Sequence, residues 1–261
     1  MSWASLKHLV IAALLLLCGT LSAEATYLSQ YLKSYPESAI IGFEQPLHWQ
    51  EQEWLTASGL LIGIGALYLA DEDIRDFAQE NKSPASKNIA AAAKQFGEGK
   101  YVVPAIGLSI LGGYLAGSEK TMDTGLLSLK SFVLSQCVTQ SLKLATQRQR
   151  PSANAGKEFW NGEGISNKRD SFPSGHSTIV WSLAPILAAQ YDQQKWVAPT
   201  VYSIAALTSI SRVHDNNHWS SDAFTGAVIG YFSARLVLGS TPRLQLSAMP
   251  DGTGIGLSYN F

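Results

Sequence analysis

A chain of 261 residues is long enough to bury one full core, and a formal net charge of −1 removes the basic footprint of a nucleic-acid binder. Apolar residues make up 46% and charged residues only 15%, well under the ~25% usual in soluble domains, which points to a membrane-associated or tightly packed helical protein. A mean hydropathy of +0.04 is nonetheless low for a chain held mostly in lipid. Residues 1–25 read as a signal peptide: Lys7 and His8 supply weak basic character, Leu9 to Leu17 the apolar stretch, and Ala23 and Ala25 the small residues of a cleavage site. Its removal would leave Cys137 as the one cysteine, expected as a small buried helix residue, with stability coming from packing rather than a disulfide. Residues 26–53 are polar and aromatic without a clear period; Tyr27, Tyr31, Tyr35 and Trp49, with Trp54 beyond them, suit a surface or a membrane interface.

Uncharged apolar runs follow at 54–70 and 101–117. Each is at the lower length limit for crossing a ~30 Å hydrocarbon core, and each reads equally well as a buried helix of a bundle. Asp71-Glu72-Asp73 stops the first run, and 86–96 reads as an Ala-rich amphipathic helix. The longest helix is predicted over 124–147, where Lys130, Gln136, Gln140 and Lys143 interrupt leucines and phenylalanine. A polar loop over 152–171 has a length that usually serves function. Helices are predicted at 177–191, 197–212 and 221–239. Alternation on both sides of Pro250-Asp251-Gly252 predicts a β-hairpin. The fold class is therefore all-α: about six core helices in a domain over 54–240, preceded by the segment 26–53 and followed by a C-terminal hairpin in 241–261.

Three clusters carry chemistry. Pro173-Ser174-Gly175-His176 reads as a loop opening a helix. Pro173 fixes φ, Ser174 and Gly175 allow a tight turn, and the first N–H groups of the helix favour an anion. His176 exchanges protons near neutrality. Upstream, Lys143 and Arg150 are seven apart, two turns on one helix face, with Pro151 ending the helix; by itself such a pair reads as a solvated stripe. Downstream, Arg212 is a third cation at a helix end, while Asp215 and His214 read mostly as loop residues. His218 and Asp222 are four apart at the start of the last helix, so a carboxylate can hold one ring nitrogen and leave the other free, or the two can form a capping pair. Three cations and backbone N–H groups can surround a phosphoryl group, the stabilisation phosphoryl transfer mostly needs.

Read together as K-x6-R-P, P-S-G-H and S-R-x5-H-x3-D, these residues resemble the type 2 phosphatidic acid phosphatase (PAP2) superfamily, which also holds bacterial acid phosphatases and vanadium haloperoxidases. All signature positions are matched in order between Lys143 and Asp222. The resemblance implies a PAP2-like helical bundle in which His218 attacks phosphorus and becomes phosphohistidine, Asp222 orients it, and His176 protonates the leaving oxygen and then helps activate water. Lys143, Arg150, Ser174, Gly175 and Arg212 would hold the phosphate oxygens. It implies a metal-independent phosphatase without cofactor, inhibited by vanadate. The expected partner is a phosphorylated lipid or a small phosphoester, together with a membrane. Broad-specificity periplasmic acid phosphatase is the alternative, and a haloperoxidase using vanadate at the phosphate position is third. The expected location is the bacterial cell envelope after export, membrane-associated with the site facing the periplasm, or soluble in the periplasm. An extracytoplasmic site requires an even number of membrane crossings before Lys143.

Overall fold

The structure, a computed structural model, describes residues 22–160, 170–240, 243–248 and 255–260. Most of the expected signal peptide and part of the 152–171 loop lie outside the described residues. Nine α-helices are described rather than about six: α1 Ser22–Glu44, α2 Glu51–Leu69, α3 Asp71–Glu80, α4 Pro84–Ala93, α5 Gly99–Leu115, α6 Glu119–Thr146, α7 Gly175–Gln190, α8 Val197–His214 and α9 Ser220–Ser240. Arg243–Ala248 pairs antiparallel with Ile255–Asn260, Leu246 opposite Leu257. The excess of helices comes from two places. The segment read as aperiodic, 26–53, is mostly α1, which carries Pro36 inside it and is anchored where the Tyr31 hydroxyl donates to Leu126 O at 2.7 Å. The acidic run read as a stop instead opens α3, where three carboxylates in the first turn suit a helix N-terminus.

Helix α7 is the axis of the bundle. Its buried residues fall on every side, with Ser177, Thr178 and Ser182 among the apolar ones, as expected of a helix surrounded by others. Ile179 packs with Val102 and Ile106 of α5, Val180 and Ala184 with Ala205 of α8, and Ile186 with Ala234 and Val237 of α9. Its crossing with α9 is set by two glycines one turn apart. A Cβ on Gly226 would come within 2.4 Å of Ser174 O, and one on Gly230 within 2.4 Å of Thr178 O. Only a bare backbone lets α9 lie that close, and the close approach brings the start of α9 against the loop that opens α7.

The longest helix, α6, differs from its expected pattern. Its buried side is small and hydroxylated, with Thr124, Ser128, Ser131, Ser135 and Thr139 recurring at helical spacing. Ser131 Oγ donates to Ser182 O at 2.7 Å, and Thr139 Oγ1 donates to Thr178 Oγ1 at 3.0 Å. Small residues with hydroxyls let two helices approach and bond, as in membrane bundles. Cys137 faces outward on this helix and is exposed, against the buried position expected for it.

Candidate active site

The site lies where the end of α6, the start of α7, the end of α8 and the start of α9 converge, and each sequence motif arrives there for a local reason. Helix α6 stops at Thr146 because Gln147 turns left-handed, at φ 47°, with its N–H on Lys143 O at 3.0 Å. Arg150 is extended, at φ −72° and ψ 149°, as the residue before a proline must be. Lys143 and Arg150 therefore do not share a helix face: Lys143 is in the last turn and Arg150 in the strand-like segment beyond it. They meet instead at Asp170. The Lys143 ammonium donates to its carbonyl oxygen, while the Arg150 guanidinium straddles its carboxylate, Nε to Oδ1 at 2.8 Å and Nη2 to Oδ2 at 3.0 Å.

Ser174 caps α7, accepting from the Ser177 N–H at 3.5 Å, so Gly175 and His176 take the first helical positions, whose N–H groups have no intrahelical acceptor. Arg212 sits in the last turn of α8, bonded through Nη2 to Asp215 Oδ2 at 2.6 Å and through Nε to Ser211 Oγ at 3.1 Å. Its own carbonyl, one of the orphans of a helix end, accepts the N–H groups of Asn217 at 3.1 Å and His218 at 3.2 Å. The five-residue spacer after Arg212 is thus a helix-ending loop, with Asn216 left-handed at φ 59°, that folds His218 back onto the arginine.

His218 is buried. Its Nδ1 lies 2.7 Å from Ser171 O and 4.0 Å from Asp222 Oδ2. The expected direct His218–Asp222 bond is therefore replaced by an indirect one. The Ser171 hydroxyl donates to Asp222 Oδ2 at 2.5 Å, so Asp222 holds the residue that holds the histidine. Asp222 also accepts the Trp219 N–H at 3.0 Å, capping α9. Ser174 N–H bonds Asp222 O at 3.0 Å, joining the α7 loop to α9.

Beneath them lies a residue that no motif position flagged. Arg148 is fully buried, with Nη1 2.6 Å from Asp222 Oδ1 and Nη2 2.8 Å from Asp71 Oδ2. The rings of Trp160, Tyr68 and Trp219 surround its guanidinium at 4.6, 5.0 and 5.4 Å. Asp71 in turn accepts the Ser220 hydroxyl at 2.6 Å and the Ser221 N–H at 2.9 Å. Arg148 falls two residues before Arg150 yet takes different partners, the buried Asp71 and Asp222 rather than Asp170, and no spacing in the sequence singles it out. His214 and Asp215, read as loop residues, instead brace the site. Asp215 holds Arg212, and His214 Nε2 is 3.0 Å from Ser86 Oγ of α4.

The electrostatics follow from burial. Burial, then Lys143, Arg150 and His176, hold the His218 pKa well below the ordinary imidazole value, against the Ser171 carbonyl. Burial and Arg212 lower that of His176, against Glu98. Burial brings Lys143 down to about 8, opposed by Asp170. Burial raises the Asp222 carboxyl, against Arg148, Ser171 and the Trp219 N–H. Each group that touches Asp222 donates to it, the pattern a carboxylate requires.

The profile of the PAP2 superfamily matches residues 124–245. Over 85 residues the chain is 33% identical to a lipid A 1-phosphatase of Porphyromonas gingivalis, a stretch that spans 32% of this chain and 19% of that relative. A transmembrane PAP2 type phosphatidylglycerolphosphate phosphatase from Bacillus subtilis superposes with a TM-score of 0.55 at 26% identity, over 70% of this chain and 94% of its own. Aquifex aeolicus LpxE shares the fold, with a TM-score of 0.52 at 19% identity, over 65% of this chain and 94% of its own.

Proposed function

We propose that this chain, whose residues 124–245 match the PAP2 superfamily profile, is a phosphatase that hydrolyses a lipid phosphate or pyrophosphate through a phosphohistidine on His218. The observation that carries this reading is the 2.7 Å contact from His218 Nδ1 to Ser171 O. A carbonyl oxygen only accepts, so Nδ1 carries the hydrogen and Nε2 keeps its lone pair. Burial and the nearby cations keep that ring neutral at neutral pH. The lone pair attacks phosphorus while Lys143, Arg150, Arg212 and the N–H groups of Gly175 and His176 stabilise charge on the phosphoryl oxygens. Ser174 shapes that loop as the cap of α7. As the N–P bond forms, the bond to the leaving oxygen breaks with its electron pair, and that oxygen takes a proton from His176. Water then attacks phosphorus, gives its proton back to His176, and the N–P pair returns to His218.

An apolar tail on the substrate is supported by a cavity of about 380 Å³ lined by Phe96, Tyr101, Val102, Ile106, Leu183 and Leu187. It begins at the turn Lys94–Gly97, which abuts His176. The lipid substrates in the relatives' names agree with it. We assign the protein to the cell envelope, membrane-associated, with export directed by residues 1–25 and the site facing the periplasm.

The test is phosphate release by the purified protein in EDTA, from p-nitrophenyl phosphate, phosphatidic acid and an isoprenyl pyrophosphate, with and without vanadate. Vanadate-sensitive release that is fastest from the lipids, and abolished in a folded His218→Ala protein, is expected. Equal rates on all three would shift the reading to a broad acid phosphatase. No release, with halide oxidation once vanadate and peroxide are supplied, would replace the phosphatase reading.

A further inference from the structure

Protonating a leaving oxygen requires a proton on His176, and most of what faces that ring opposes one. Arg212 comes from α8, Arg150 from the segment after α6, and His218 from the loop before α9. Asp170 and Asp215 are engaged by Arg150 and Arg212. The carboxylate that reaches the ring is Glu98, whose Oε1 lies 3.3 Å from His176 Nε2, within ion-pair range but off the hydrogen-bond direction. Glu98 belongs to none of the three motifs. It caps α5, at the end of the turn Lys94–Gly97.

That turn is fixed against the site from two sides. Thr208 Oγ1 of α8 donates to Ala93 O at 2.8 Å. A Cβ on Gly97 would come within 2.9 Å of both Cβ and O of His176, and 3.0 Å of Thr208 Cγ2. The missing side chain at 97 therefore permits the contact that sets residue 98 beside the imidazole.

We infer that Glu98 is the carboxylate partner of His176, keeping a proton on the ring for delivery to the leaving oxygen. The inference rests on the phosphatase reading above. Glu98 is a positioning residue: the proton passes from His176 to the leaving oxygen as the P–O bond breaks and returns from the attacking water. Its charge counters the burial and the arginines that depress the ring's proton affinity.

The experiment compares a phosphate ester with a good leaving group, p-nitrophenyl phosphate, and one with a poor leaving group, an alkyl phosphate. Loss of a general acid slows the second far more than the first. Glu98→Gln should lower kcat on the alkyl ester about tenfold more than on the p-nitrophenyl ester. The alkaline limb of kcat should move to lower pH, with unchanged thermal stability. Glu98→Asp, which keeps the charge, should recover part of the difference. Equal loss on both esters, or an aspartate variant no better than the glutamine one, would overturn the role of Glu98 while leaving the phosphatase standing. A native protein that releases phosphate from neither ester would overturn both.

Discussion

At the scale of single residues, the site is a charge arrangement that burial makes consequential. Arg148 joins two fully buried carboxylates, Asp71 and Asp222, and leaves both uncompensated when removed. Arg148→Met should therefore destabilise the fold by roughly 3–5 kcal/mol in a denaturant titration, the scale for breaking a buried pair. Its effect on turnover comes through Asp222 and Ser171, which hold the His218 ring. Lys143 gives a pH signature. Its pKa is lowered to about 8, first by burial, so the cation proposed to bind phosphate is present below that pH and lost above it. The rate kcat/KM, which reports the free enzyme, should fall as pH rises through about 8, and Lys143→Arg should move the fall to higher pH. The motif residues were legible in the sequence because their spacing is local. Arg148 and Asp71 were not, since their pairing closes across 77 residues and Asp71 reads as a helix stop. The role of Asp222 was legible only in outline: helical spacing brings it near His218, but the N-cap geometry of α9 turns its oxygens to Trp219 N–H and to Ser171.

At the scale of elements, the site depends on how closely α9 approaches α7. Gly226→Ala would set a methyl 2.4 Å from Ser174 O. It should cost about 1–3 kcal/mol in stability, the usual overpacking scale, and lower turnover by pushing Ser174 and Asp222 apart. Both effects are measurable on one preparation by thermal unfolding and p-nitrophenyl phosphate turnover. The cores of the helices around the motifs were legible as apolar runs. The end of α6 was predicted within one residue, at 147, but the helical spacing read between Lys143 and Arg150 fails because the left-handed Gln147 stops the helix between them. Helix α1 was missed because its aromatic and polar residues, with Pro36 among them, show weak periodicity.

At the scale of the whole molecule, the outer helices present apolar side chains outward. Helix α2 has no buried residue, and its Leu61, Ile62 and Leu69 are about 70% exposed. Leu108 and Leu115 of α5 are equally exposed. Among the described residues no single helix is long and apolar enough to cross a membrane. Glu51–Leu69 with Asp71–Glu80 passes that test as a pair, bent by 58°. Exposed apolar surface on this scale needs a partner, and a lipid surface is the one that fits the proposed substrate. The native protein should float with phospholipid vesicles, and Leu61→Asp with Ile62→Asp should weaken flotation while p-nitrophenyl phosphate turnover persists. Composition had pointed to a membrane, but how the apolar residues divide between core and exterior became visible only in the fold.

The central claim is that His218 is the nucleophile, and trapping its phosphorylated form tests that claim most directly. A rapid acid-free quench during turnover of a labelled lipid phosphate, followed by peptide mapping, should find label on His218. The label should be stable in base and lost in acid, and absent from His218→Ala. Label on another residue, or burst-free turnover that leaves no phosphoprotein while His218→Ala remains active, would contradict the account.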